Sequence, residues 1–265
     1  MKIMRIYTDY ARVYHEMYQS IFNYENEFQL YDKSLSKLKC KKILEIGCGS
    51  GNLAKYFIKK GYDYTGLDIS KEMIELSKEL VPEGKFIRAD MRNLELNEKF
   101  DAVIVTGRTF THLTTNHDVM FALKSIHKIL RKDSWLLFDN FNAHEIFTNF
   151  KDHMTHKSKY SNRKYTRKSY TSFDFEHGWT WKWKAIYEIK EEGEKRSFED
   201  EIILRAFTED ELKLFLHISG FEVSKMQKES NAIFTIAQKK SEERTNAQLH
   251  YFKKKENNFS EISQV

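Results

Sequence analysis

Residues 42–70 read KILEIGCGSGNLAKYFIKKGYDYTGLDIS. An apolar run, Ile43, Leu44 and Ile46, leads into Gly47, Gly49 and Gly51. Leu53, Ala54, Phe57 and Ile58 follow at helical spacing, Gly61 marks a stop, and a second strand-like run ends at Asp68. The order is strand, tight turn, helix, strand, acid, which is half of a nucleotide-binding α/β sheet. Glycines let the backbone pass close to a ligand, and the helix start behind them offers unpaired N–H groups.

A dinucleotide turn spaces its glycines G-x-G-x-x-G; here the spacing is G-x-G-x-G, with Glu45 two places ahead. An acid there sits badly beside a pyrophosphate but suits a ligand carrying an ammonium group. Asp68, at a strand end, is placed to accept both hydroxyls of a ribose. A ligand with a ribose, a cationic amino-acid end and no phosphate is S-adenosylmethionine. The stretch resembles the first motif and acidic loop of class I S-adenosylmethionine-dependent methyltransferases. That resemblance implies cofactor contacts from Glu45, Gly47, Gly49, Gly51, Asp68, Ile69 and Thr106. It also assigns Asp90 to the adenine amino group and Met91 to the adenine ring.

Working outward, Tyr7, Tyr10, Tyr14, Tyr18, Ile21 and Phe22 recur at steps of three and four, so residues 1–39 read as a helical lid. Such a stripe packs on a sheet; by the resemblance it also closes over cofactor and substrate, with Tyr14 and Tyr18 the nearest candidates. Beyond Asp68, Ser70 caps a helix, residues 85–89 form a third strand, and FDAVIV at 100–105 is a strand buried on both faces. A helix over 116–131 and a fifth strand over 135–138 follow. Residues 181–189 and 202–207 alternate as an antiparallel hairpin, and Thr208 with Glu211 forms a capping box closed by Gly220. Strands over 221–226 and 232–237 complete the sheet. The expectation is an α/β, Rossmann-like, seven-stranded, mostly parallel sheet with helices on both faces. A domain over 40–238 carries a small antiparallel hairpin and flap cap inserted at about 145–207, and 239–265 reads as a mobile charged tail.

Composition narrows the function. The net charge is +5, yet residues 151–168 alone hold seven Lys/Arg against one Asp, so the basicity is confined to the flap. The flap either neutralises an acidic small molecule or holds RNA phosphates, with Tyr160, Tyr165 and Tyr170 available for stacking. No apolar run approaches the roughly 18 residues of a membrane span, and the N-terminus lacks a secretory pattern, so a cytoplasmic protein is expected. Cys40 and Cys48 flank one strand, too far apart to bond and too few for zinc; they read as reduced thiols. Pro82 is the only proline, which removes the proline-containing catalytic turns of the DNA methyltransferases. Thr106-Gly107 stands where a metal-binding acid would be needed, so no metal is expected.

The loop TGRTFTHL at 106–113 resembles that of the glycine and sarcosine N-methyltransferases, with Gly107, Phe110, His112 and Leu113 matching and Arg108 and Thr109 departing. FDNFNAHEI at 138–146 resembles their next loop through Asp139 and Asn142. Aminosugar N,N-dimethyltransferases share the layout. These resemblances imply methyl transfer to the nitrogen of a small amine. Asn142 and Arg108 are then substrate residues, and Asn142, His112 and His144 the catalytic candidates, with either histidine assisting removal of the ammonium proton. Methylation of a small hydroxyl or carboxyl acceptor is an alternative, as is a non-catalytic cofactor-binding or RNA-associated protein. A monomer or a homodimer fits the sequence equally.

Overall fold

A computed structural model describes residues 3–240. The chain enters through an irregular segment, then α1 (Ala11–Tyr18) and α2 (Tyr24–Lys37). The expected single helical stretch is thus broken, because Asn23 adopts extended backbone and accepts from the Asn26 N–H to start α2 afresh. There follow β1 (Lys42–Ile46), α3 (Ala54–Lys60), β2 (Asp63–Asp68), α4 (Lys71–Leu80), β3 (Lys85–Arg88), β4 (Phe100–Val105), α5 (Asn116–Ile129) and β5 (Leu130–Phe141). Gly61 ends α3 at φ 94°, a left-handed turn that a side chain disfavours. Ser70 caps α4 through the Met73 N–H.

The seven-stranded sheet has the order β10-β11-β5-β4-β1-β2-β3, where β10 is Phe221–Glu229 and β11 is Ala232–Lys239. β1 pairs in parallel with both β2 and β4, and only the β5–β11 and β11–β10 pairings are antiparallel. α2, α3 and α4 pack on one face around Tyr31, Phe57 and Ile74. α5 and α7 (Glu209–Ile218) pack on the other around Leu123, Ile126 and Leu216. Connections leave β1 and β4 in opposite directions, and the crevice at their carboxyl ends is where such a sheet receives ligands.

Between β5 and α7 lie α6 (Ala143–Thr148) and a separate antiparallel sheet, β6 (His153–Tyr160), β7 (Arg163–Phe173), β8 (Thr180–Glu191) and β9 (Glu194–Arg205). Glu192 and Gly193, both at positive φ, make the tight turn between β8 and β9. The basic flap forms a second hairpin, with Ser158 opposite Tyr165 and Lys159 opposite Lys164. No described helix is long and apolar enough to cross a membrane. Most of the expected 239–265 tail falls outside the described residues.

The aromatic stripe packs on this second sheet rather than on the central one. Met4, Ile6, Met17 and Tyr18 share a core with Tyr165, Tyr187, Ile189 and Phe198. Buried Asp200 of β9 accepts from the Arg5 N–H at 2.9 Å and the Ile6 N–H at 2.7 Å, fixing the entering chain. Removing that acceptor strands one buried and one partly buried donor, a loss of about 2–3 kcal/mol. Asp200→Ala should lower Tm by roughly 5–10 °C and expose Arg5 and Arg12 to trypsin several-fold faster. An unchanged digestion rate would show that other contacts hold the segment.

Candidate active site at the carboxyl ends of β1, β2 and β4

As β1 ends, Gly47 turns at φ 78°, and a Cβ there would lie 2.0 Å from the Thr109 Oγ1. Only glycine lets the two loops meet. Gly49 then donates its N–H to Asp68 Oδ2, and Ser70 donates to Asp68 Oδ1, both at 2.9 Å. Burial pushes the Asp68 carboxyl up, and these backbone donors work against it. Gly51, at φ 78°, instead faces Phe86, Ser77 and Val81, so its role is packing.

A cavity opens above these loops. Its walls are Ile46, Gly47 and Gly49, then Leu67, Asp68 and Ile69, then Ala89, Asp90 and Met91, and Gly107, Thr109 and His112 after β4. Met73 adds an apolar contact, Ile3, Met4, Tyr7 and Tyr14 form the roof, and Ile202 reaches in from β9. Burial alone would raise Asp90, but the Arg92 side chain at 2.6 Å and the Arg92 N–H hold its carboxyl below the usual range. Tyr7 stands edge-on to His112 with ring centres 6.0 Å apart. Burial drives the His112 imidazole down to about 4, so it is neutral near pH 7.

The roof is tied down on three sides. Ser70 donates to the Tyr7 carbonyl at 2.6 Å, His15 meets Ser50 at 2.9 Å, and Gln19 donates to Asn52 at 2.7 Å. On the second sheet, Arg163 grips both oxygens of buried Glu16 at 3.0 and 3.1 Å, and Tyr165 donates to the same carboxylate. Arg167 donates to the Tyr18 hydroxyl. Two of the flap cations and one of its tyrosines are thereby committed within the protein.

Several expected site residues are not brought to the cavity. Glu45 lies on the α2–α3 face of β1, where it accepts from Tyr64 at 2.5 Å and Thr106 at 2.6 Å; residue 46, on the other pleat, forms the wall. Burial raises its carboxyl to about 7 despite those two donors. Thr106, committed to Glu45, is likewise off the wall. Asn142 caps α6, accepting from the His144 N–H at 3.1 Å, and its own N–H goes to the Asn231 carbonyl. The His144 side chain is 78% exposed, beside Glu145. The loop after β5 turns at once into α6, which carries both residues away from the cavity. Arg108 pairs with Asp139, and Tyr18 stacks behind Tyr14 at 4.3 Å. Tyr14 alone of the four expected substrate residues is on the wall.

The sequence reading passed over Tyr7, Met73, Thr109 and Ile202 as wall residues. Tyr7 carried a signal, being two helical turns ahead of Tyr14. Ile202 carried none, since its position depends on how the second sheet folds over the first. Among the described residues no group of three His, Cys, Asp or Glu is close enough to hold a metal ion.

Residues 43–133 match a family described as a methyltransferase domain. YqeM of Bacillus subtilis (strain 168), provisionally named as a methyltransferase, is 30% identical over 151 residues, 56% of this chain and 60% of that protein. The glycine/sarcosine N-methyltransferase of Aphanothece halophytica is 26% identical over 144 residues, 51% of this chain and 54% of its own. The chain spans between half and two thirds of the length of each of these relatives. The S-adenosylmethionine-bound structure of CalS10, an amino pentose methyltransferase from Micromonospora echinaspora, superposes with a TM-score of 0.72 at 18% identity. It covers 87% of this chain and is itself covered over 96%, a likeness of fold.

The buried imidazole makes a prediction. With a pKa lowered from 6.5 to about 4, His112 stays neutral in the native protein while the unfolded chain takes up a proton. Its contribution to stability is complete above pH 6.5 and is lost as pH falls toward 4. His112→Asn should therefore lose less stability than wild type between pH 7 and 4.5, by on the order of 2 kcal/mol. Parallel melting curves across that range would contradict the burial argument.

Proposed function

We propose that this chain, whose residues 43–133 match a family described as a methyltransferase domain, transfers the methyl group of S-adenosylmethionine to the nitrogen of a small amine. The cavity suits that cofactor on its own chemistry. Each Asp68 oxygen accepts one backbone N–H and keeps lone pairs for a ribose hydroxyl. Asp90, kept ionised by Arg92, is an acceptor for the adenine amino group, and Met91 offers a polarisable contact to the ring. Gly47 and Gly49 present bare backbone to the amino-acid end. When bound, the cofactor supplies an electrophilic methyl group on a sulfonium.

The observation that carries the choice of nitrogen is the absence of a strong base on the described wall. Its ionisable side chains are Asp68, Asp90, His112, Tyr7 and Tyr14. Two are acids already engaged by N–H or guanidinium donors, and burial raises both tyrosines far from ionisation. His112, at about 4, is too weak to deprotonate a hydroxyl. A neutral amine needs no such base. It needs alignment at about 3–3.5 Å and a site that excludes water. The roof residues Met4, Tyr7 and Tyr14 supply the exclusion, and the neutral His112 imidazole is left to accept a hydrogen bond from the acceptor. The name of one relative, the glycine/sarcosine N-methyltransferase, agrees with this reading.

Titration calorimetry with S-adenosylhomocysteine should detect binding, and Asp68→Ala should weaken it by about 150-fold or more, the equivalent of two lost hydrogen bonds to a charged group. Absence of binding by the wild-type protein, or equal binding by the variant, would defeat the proposal. With S-adenosylmethionine, amines such as sarcosine or an aminosugar should be methylated and their hydroxyl counterparts should not.

A further inference from the structure

The face of the second sheet that turns away from the roof carries a charge pattern set by strand register. β6, β7, β8 and β9 pair without a break, and one line across them holds Lys159, Lys164, Lys190 and Lys195, each directly opposite the next. Neighbouring strands lie about 4.8 Å apart, so these four lysines are planted along roughly 14 Å of one face. Like charges directly opposite one another destabilise a sheet. Elsewhere on this face the fold avoids that. Lys182 pairs with Glu201 at 2.9 Å, Lys184 with Glu199 at 2.7 Å, and Glu188 takes both Lys168 and Lys195. Lys159, Lys164, Lys190 and the adjacent Lys157 are exposed and make no hydrogen bond or ion pair among the described residues. Glu191 lies on the opposite face, where it accepts from Arg163, and Glu192 and Glu194 stand in the turn beyond the row without pairing to it.

We propose that this row binds the phosphate backbone of a nucleic acid strand without reading its sequence, a property independent of the reading of the central cavity. The free charge forms a line rather than a field, because lysines on the rest of the face are neutralised. A line of cations matches a strand of phosphates better than the broad plane of a lipid surface. The next line across the sheet holds Lys157, Thr166, Glu188 and Ser197, so no aromatic or apolar side chain stands in the row or in that line. A protein partner is held by such anchors, whereas phosphate oxygens need only cations and hydroxyl donors. Of the flap tyrosines, Tyr165 is buried and Tyr160 is on the other face, edge-on to His15. Binding at the row is thus through charge and not through stacked bases.

Fluorescence anisotropy of the full chain with a labelled oligouridylate, across a salt series, tests this. Four lysines on four phosphates predict that log K falls with log salt at a slope of about −3. Lys159→Gln/Lys164→Gln/Lys190→Gln should weaken binding about tenfold or more at low salt and flatten the slope to about −1. Lys182→Gln/Lys184→Gln, which removes two paired lysines from the same face, should stay within about threefold of wild type. Absence of binding by wild type, a row variant that binds as wild type does, or an equal loss in the paired variant overturns the proposal. So does preferential binding to phosphatidylserine vesicles or to poly-glutamate over the oligonucleotide. The row variant should melt no lower than wild type, since facing like charges are removed. A lower Tm would mean that the lysines are compensated within the fold, and it overturns the proposal as well.

Discussion

Two backbone N–H groups, from Gly49 and Ser70, converge on the Asp68 carboxylate at 2.9 Å each. This carboxylate joins the glycine loop after β1 to the start of α4, so that three elements meet at one side chain. The geometry follows from the sheet. β1 and β2 run parallel with Ile46 opposite Leu67, and the Gly47 and Cys48 N–H groups both donate to the Leu67 carbonyl. The loop cannot shift along β2 without breaking these bonds. An acid at 68 is thereby held at the cavity by its own fold before any ligand arrives, which is preorganisation in its literal sense.

Below that loop the structure carries a second acid for a different purpose. Glu45 is 1% exposed, and its two donors, Tyr64 from β2 and Thr106 from beyond β4, bridge the three central strands on the α2–α3 face. A buried carboxylate is costly unless its lone pairs are met, and here burial leaves the carboxyl near 7. Its protonation therefore changes close to neutral pH, and both states keep the hydroxyl contacts, as donors to the anion or through the acid's own proton. Glu45 organises the platform on which the glycine loop rests; Asp68 faces the cavity.

This division explains what the sequence made legible. Elements that depend on local patterns were readable: the β1–α3–β2 unit, the Ser70 and Thr208 caps, the β8–β9 hairpin and the two-strand return at the end of the sheet. So were Asp68, Gly47, Gly49, Ile69, Asp90 and Met91 as cavity residues, because strand ends must face the crevice. Glu45 misled because motif spacing says nothing about pleat. One residue along β1 separates the cavity wall from the opposite face. Asn142 and His144 misled because the sequence shows an Asn and a His after a strand, while α6 begins there and uses Asn142 as its cap. The strands within the flap were not legible, since its lysines and tyrosines obscure the alternation that places Tyr165 inside.

The roof lies furthest from sequence reasoning. Its members come from the first turns of the chain and from β9, brought together by ion pairs and hydrogen bonds between residues far apart in sequence, such as Arg163 with Glu16 and Asp200 with Ile6. None of these pairs follows from a motif, and none is required by the central sheet. The floor, by contrast, is fixed by parallel pairing and by glycines that tolerate no side chain. The lower half of the cavity is thus set by the central sheet, while the half above it is set by a separate sheet and a separate segment. The family model follows the same line: its matched residues 43–133 supply most of the floor, and the roof lies outside them. The roof residues Tyr7, Tyr14 and Ile202 reach the cavity from outside the glycine loop and its flanking strands.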